Sequence, residues 1–159
     1  MELAPADIEW RQGIPYSLEY EEFYWSPSNG LEKSAYVFLQ KNNLPLRWEK
    51  LSNNDHSFSI AETGFGAGLN FLNCCELWLK TAPNHCTLNY FSSESSPLTK
   101  ADLEKALCKW PSISAHSQQL IEHYPPAVRG FHYIELYGGR ITLCPVSYTH
   151  LTLPTKDGV

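Results

Sequence analysis

Between Phe58 and Phe91 the spacing of apolar side chains changes twice. Phe58-Ser59-Ile60-Ala61-Glu62 reads as a short strand. Leu72, Cys75 and Leu79 then recur at helical spacing, which predicts a helix over 69–80, and residues 87–91 return to strand composition. Gly64, Gly66 and Gly68 separate the first strand from the helix, and Pro83-Asn84 stops the helix. Strand, glycine turn, helix, strand is one βαβ unit, expected to be parallel and right-handed.

The flanking segments carry weaker signals. Residues 8–24 mix aromatic and β-branched side chains around a turn at Gly13-Ile14-Pro15, so the first third is expected to be β-rich. Tyr36-Val37-Phe38-Leu39 fits a short strand or the buried part of a helix. Residues 41–54, polar and broken by Pro45, read as a connecting loop. Thr99 followed by Asp102 is a helix N-cap signature, with Leu103, Leu107 and Trp110 on one face. Ile113, Leu120, Ile121 and Tyr124 mark another amphipathic helix, stopped by Pro125-Pro126. Segments 131–137 and 140–143 flank Gly138-Gly139, a two-residue hairpin signal.

Composition narrows the class. The 159 residues are 43% hydrophobic and 18% charged, which suits a folded domain and not a disordered chain. The net charge is −5 and the basic residues are scattered, so most of any nucleic-acid surface is expected to lie outside this chain. The cysteines Cys74, Cys75, Cys86, Cys108 and Cys144 form no Cys-x-x-Cys pair and no zinc spacing, as in reduced cytosolic proteins. The first ten residues lack a signal-peptide pattern, and no apolar stretch approaches the ~20 residues of a membrane helix. A cytoplasmic chain without a membrane partner is expected.

The glycine turn carries the chemistry. Glycines permit a sharp strand-to-helix turn and a close ligand approach, and the following helix offers free N–H groups at its positive end. The dinucleotide spacing G-x-G-x-x-G is not met, because Leu69 stands where its third glycine would fall. One acid, Glu62, precedes the first glycine by two positions, and a second, Glu94, closes the next strand. A carboxylate at that strand end can accept both hydroxyls of a ribose. An acid before the glycines suits a cationic ligand and repels a pyrophosphate, so the pattern favours S-adenosylmethionine over NAD.

These residues resemble the methyltransferase domain of the bifunctional tRNA 5-methylaminomethyl-2-thiouridine biosynthesis (MnmC) family, over about residues 7–143. The resemblance rests on Phe23-Tyr24 with Asn29-Gly30-Leu31-Glu32, on Tyr36 to Leu39, on Glu62 through Leu72, and on Glu94 with Pro97 to Leu103. Trp110-Pro111, Tyr124-Pro125-Pro126, Gly130-Phe131-His132 and Gly139 to Leu143 add to it. It implies an α/β, Rossmann-like S-adenosylmethionine-dependent methyltransferase with an incomplete sheet and a β-rich N-terminal extension. It implies methylation of the primary amine of 5-aminomethyl(-2-thio)uridine at the tRNA wobble position. An FAD-dependent domain, fused or separate and absent from this chain, makes that amine. Glu62, Gly64, Phe65, Gly66, Gly68 and Asn70 carry over as the cofactor turn and Glu94 as the ribose acid.

The chain departs from the family pattern at Ala67, where Thr is usual, at Ser95, where Lys is common, and at Ala35, where Arg is frequent. The family's segments beside the adenine and the reactive centre find no counterpart after Leu143, so no catalytic residue is assigned. Residues 145–156 resemble a peptide translated from a synthetic adapter. The expected division is an extension over 1–57, a partial methyltransferase domain over 58–144 and a non-native tail over 145–159, in a truncated chain inactive by itself.

Other residues point nowhere specific. His116 and His123 share a helical face without a third ligand and read as packing or surface histidines. Trp78 and Trp110 read as core, and Tyr24 and Trp25 as candidates for a substrate cleft. Two other functions remain open from the residues: an NAD- or FAD-linked oxidoreductase on the same βαβ unit, and a non-catalytic methyltransferase-like module in tRNA modification.

Overall fold

The structure is a computed structural model and describes residues 2–147. The chain opens with an antiparallel meander of β1 (Ile8–Arg11), β2 (Ile14–Ser17) and β3 (Glu22–Phe23). Arg11 pairs with Ile14, so Gln12 and Gly13 form a two-residue turn, both at positive φ. That combination matches the twist of a tight hairpin, and it sits one residue before the expected Gly13-Ile14-Pro15 turn.

Next come α1 (Gly30–Ser34), a π-helical segment (Ala35–Gln40) and α2 (Leu44–Glu49). The π segment resolves Tyr36 to Leu39 in favour of helix. The expected loop over 41–54 is corrected by α2. Pro45 lies in its first turn, where the missing N–H costs no hydrogen bond, so the residue read as a breaker instead starts a helix. Leu44 and the fully buried Trp48 supply its inward face.

The expected βαβ unit is present as β4 (Ser57–Thr63), α3 (Leu69–Thr81) and β5 (Thr87–Glu94), with β4 and β5 parallel from Ser57↔Thr87 to Thr63↔Ser93. Helix α3 buries Phe71, Leu72, Cys74, Cys75 and Trp78, because α1 and α2 cover one side of it and α5 (Ser114–His123) another. Adjacent Cys74 and Cys75 can both be buried only on a helix covered this widely. Helix α4 (Lys100–Leu107) begins as expected: Thr99 Oγ1 accepts the Asp102 N–H at 3.1 Å and donates to its carboxylate at 2.6 Å.

The chain closes with β6 (Gly130–Phe131), β7 (Ile134–Leu136) and β8 (Ile141–Ser147). β7 and β8 form the expected hairpin, but Leu136 pairs with Ile141, so its turn has four residues and not two. Strand β8 also runs parallel to β5, from Leu88↔Ile141 to Glu94↔Ser147. The sheet order β4-β5-β8-β6 thus holds three parallel strands where two were expected. Pro145 to Ser147 of the expected tail belong to β8, and its remainder lies outside the described residues. Among the described residues β4 pairs with β5 alone, which leaves its other edge open.

One hydrophobic core joins the N-terminal segment to the sheet. It contains Ile14, Trp25, Leu39 and Trp48 together with Phe71, Trp78 and Tyr90. Trp48 meets Trp78 edge to face at 5.1 Å, and Phe71 meets Tyr90 likewise at 5.1 Å. Trp110 falls after α4 and is only partly buried, against Trp25. The meander is tied across the C-terminal end of β5 by Ala6 N–H to Pro97 O at 2.9 Å, Ser96 Oγ to Glu19 at 3.2 Å and Tyr20 Oη with Ser95 Oγ at 3.3 Å. It therefore overhangs the glycine turn. No helix among the described residues is long and apolar enough to cross a membrane.

Candidate cofactor site

The turn from β4 into α3 needs left-handed backbone three times. Gly64, Gly66 and Gly68 have φ of 79°, 56° and 77°. Such angles cost an L-residue roughly 1–2 kcal/mol. The surroundings of the three differ. A Cβ on Gly64 would meet no atom of the described residues within 4 Å, and one on Gly66 would lie 3.6 Å from the Tyr24 ring. A Cβ on Gly68 would lie 2.8 Å from Phe65 Cζ and 3.2 Å from Leu120. Gly64 faces open space, Gly66 underlies an aromatic ring, and Gly68 is a packing glycine at the N-cap of α3.

Glu94 reaches this turn from the end of β5. Its carboxylate accepts the Gly66 N–H at 3.1 Å and the Ser96 N–H at 3.0 Å. Among the described residues no side chain caps α3, which leaves its first N–H groups available at the positive end of the helix.

Two grooves meet here. The first, of about 420 Å³, runs from Gly64, Gly66 and Glu94 under the meander and is walled by Asp7, Glu19 and Glu22. The second, of about 500 Å³, lies beside α1 and carries Lys33, Ser34 and Asn70. Phe23, Tyr24, Gly64 and Gly66 line both. Burial, with the charge of Glu94 nearby, pushes the Tyr24 phenol up to about 12.

Glu62 faces elsewhere. It lines a third groove of about 660 Å³ along the open edge of β4, with Phe38, Leu44 and Arg47 opposite. Its carboxylate accepts Ser92 Oγ–H at 2.9 Å and Asn70 Nδ2–H at 3.1 Å. Burial raises its pKa against the pull of those bonds. Asn70 in turn accepts Ser34 Oγ–H at 2.6 Å, and Asn73 donates to Ser34 Oγ and Leu31 O, both at 3.1 Å. This chain of polar groups fixes α1 against α3.

The structure thus gathers Gly64, Gly66 and Glu94 in one groove. Phe65 and Asn70 line the groove next to it, Glu62 lies in the third, and Gly68 packs inside. Phe65 is mostly buried, its ring over Gly68. Sequence reasoning missed Ser34, Asn73 and Ser92. Asn70 and Asn73, three apart on one helical face, were the available signal. His116 bridges Glu76, at 2.6 Å, and the Tyr137 hydroxyl, remote from all three grooves. Among the described residues His123 bonds the Gln119 carbonyl alone, at 2.9 Å. Among the described residues no cluster of His, Cys, Asp and Glu could hold a metal ion.

No family model matches the chain. Curated relatives do. The tRNA 5-methylaminomethyl-2-thiouridine biosynthesis bifunctional protein MnmC of Legionella pneumophila (strain Lens) is 48% identical over 87% of this chain and 21% of its own length. The protein of that name from Marinobacter nauticus is 44% identical over 89% of this chain and 23% of its own. The crystal structure of MNMC2 from Aquifex aeolicus is similar in fold, with a TM-score of 0.61 at 17% identity, over 91% of this chain and 43% of that one. By this sequence similarity the chain belongs to the MnmC family, and it spans about a fifth of the length of the curated relatives it matches.

Proposed function

We propose that this chain holds S-adenosylmethionine between the glycine turn and Glu94, in a Rossmann-like methyltransferase domain. Its acceptor is the primary amine of 5-aminomethyl(-2-thio)uridine at the tRNA wobble position. The observation that carries the reading is Glu94 brought to within hydrogen-bond distance of the Gly66 backbone in an open groove.

The residues suit that ligand. Glu94 presents the acceptor that a ribose diol needs, and Ser96 N–H holds one of its oxygens in orientation. The space beyond Gly64, where a Cβ would project, admits a ligand against the backbone. Asp7, Glu19 and Glu22 make the groove negative, which favours a cation and opposes the pyrophosphate of NAD or FAD. When bound, the cofactor supplies an electrophilic methyl group on a sulfonium.

The chain's own part is binding, orientation and exclusion of water. The meander covers the first groove, and Glu19 and Tyr20 hold it to Ser96 and Ser95. Neither Tyr24 nor Glu62 suits the role of proton acceptor. Burial pushes the Tyr24 phenol up to about 12, and Glu62 lines a groove that holds neither Gly64, Gly66 nor Glu94. No described residue is assigned as the general base.

The named relatives concern tRNA, and we extend that partner, with the cytoplasm as its place, to this chain. With a net charge of −5, this chain supplies few of the contacts to tRNA, and most of them lie outside residues 1–159. An FAD-dependent oxidoreductase domain, fused or separate, supplies the amine. Calorimetric titration of the chain with S-adenosylmethionine and with NADH tests the reading. Saturable binding of the first alone is expected, and binding of NADH alone contradicts it.

A further inference from the structure

The two grooves that meet at Gly64 and Gly66 differ in charge. One is walled by Asp7, Glu19, Glu22 and Glu94, and the other carries Lys33. Phe23, Tyr24, Gly64 and Gly66 line both grooves where they meet. A ligand with a diol at one end, a carboxylate at the other and a cation between them matches this sequence of environments. Resting on the function proposed above, we infer that Tyr24 is a specificity-determining residue whose ring face receives the sulfonium, so that the chain distinguishes S-adenosylmethionine from the neutral thioether S-adenosylhomocysteine.

Position and chemistry support this role. The Tyr24 ring lies over Gly66, 3.6 Å from where a Cβ would stand. It also lines both grooves, so a ligand spanning them passes beside it. An aromatic face attracts a cation within about 6 Å of its centroid, most strongly where water is excluded. A neutral thioether gains a weaker contact and prefers the ring edge, so the face favours the sulfonium. Lys33 faces the opposite requirement. The carboxylate it would meet is common to both ligands, so Lys33 contributes to affinity without contributing to discrimination.

The test is calorimetric titration of the chain with S-adenosylmethionine and S-adenosylhomocysteine. The wild type is expected to prefer the sulfonium. Tyr24→Leu should shrink that preference roughly threefold to tenfold, and Tyr24→Phe should keep it. Lys33→Ala should weaken both ligands by the same factor. Because Tyr24→Leu removes packing as well, Tyr24 is also replaced by pentafluorophenylalanine, which keeps the ring's shape and reverses its electrostatic face. That replacement should reproduce the loss of preference. An unchanged ratio in both the leucine and the fluorinated variants overturns the inference, as does equal wild-type affinity for the two ligands. Failure of the wild type to bind either ligand overturns the proposed function together with this inference.

Discussion

Glu94 accepts the Gly66 N–H at 3.1 Å, which joins the end of β5 to the middle of the glycine turn. A carboxylate that accepts backbone N–H groups makes charge-assisted contacts, stronger than neutral ones. Both Glu94 oxygens have such a partner, Gly66 on one and Ser96 on the other. The acid is therefore oriented before any ligand arrives, which lowers the ordering cost of binding. The remaining lone pairs of the two oxygens are what a ribose diol can use.

The three glycines should separate on substitution. Gly64→Ala and Gly68→Ala both place an L-residue at positive φ, near 79° and 77°. Only the second forces a Cβ against Phe65 and Leu120. Gly64→Ala should cost about 1 kcal/mol of folding stability and Gly68→Ala about 3 kcal/mol, read from urea unfolding. Gly64→Ala should nonetheless weaken cofactor binding, because its Cβ enters the groove. Equal destabilisation by the two changes would contradict the assignment of Gly68 to packing.

Glu62 gives a dependence on pH. Its folded pKa is raised above the ordinary 4.5, chiefly by burial. The stability it contributes is fully present below the ordinary value and is lost as pH rises through the raised one. Glu62→Gln removes that titration. The unfolding free energy of the variant minus that of the wild type should therefore grow between pH 4 and pH 7. A difference that stays flat or falls would show that Ser92 and Asn70 outweigh the burial.

His116 should prove structural. It links α5 to Glu76 on α3 and to Tyr137 in the turn before β8. His116→Ala leaves the Tyr137 hydroxyl without a partner among the described residues and leaves Glu76 with Lys80 alone, and should cost about 1–3 kcal/mol. Tyr137→Phe in the same background should add less than it does alone, because both changes remove one bond. Cofactor affinity should stay as in the wild type, since no groove at the glycine turn includes these residues.

The parts of the fold read from the sequence were those with local causes. The βαβ unit announces itself through period changes and glycines within one stretch, and Thr99 with Asp102 marks a helix start in four residues. Where the same signal serves two structures, the reading failed: Pro45 breaks a helix from inside but begins one in the first turn, as it does in α2. Relations between distant segments left no trace. Nothing local to 141–147 says that this hairpin arm also pairs with β5, or that His116 meets Glu76 and Tyr137. The same limit applied to the candidate site. The residues of the turn were identifiable, but not that Glu62 bonds Ser92 on β5 and Asn70 on α3 while Glu94 reaches Gly66 and lines the groove.

Calorimetric titration of wild type and Glu94→Ala with S-adenosylmethionine, each checked for folding by circular dichroism, tests the central claim most directly. The account predicts saturable binding by the wild type and a loss of at least tenfold in the variant, about 1.4 kcal/mol or more. Equal affinity in two folded proteins would contradict it, because the cofactor would then bind without the carboxylate that defines the site.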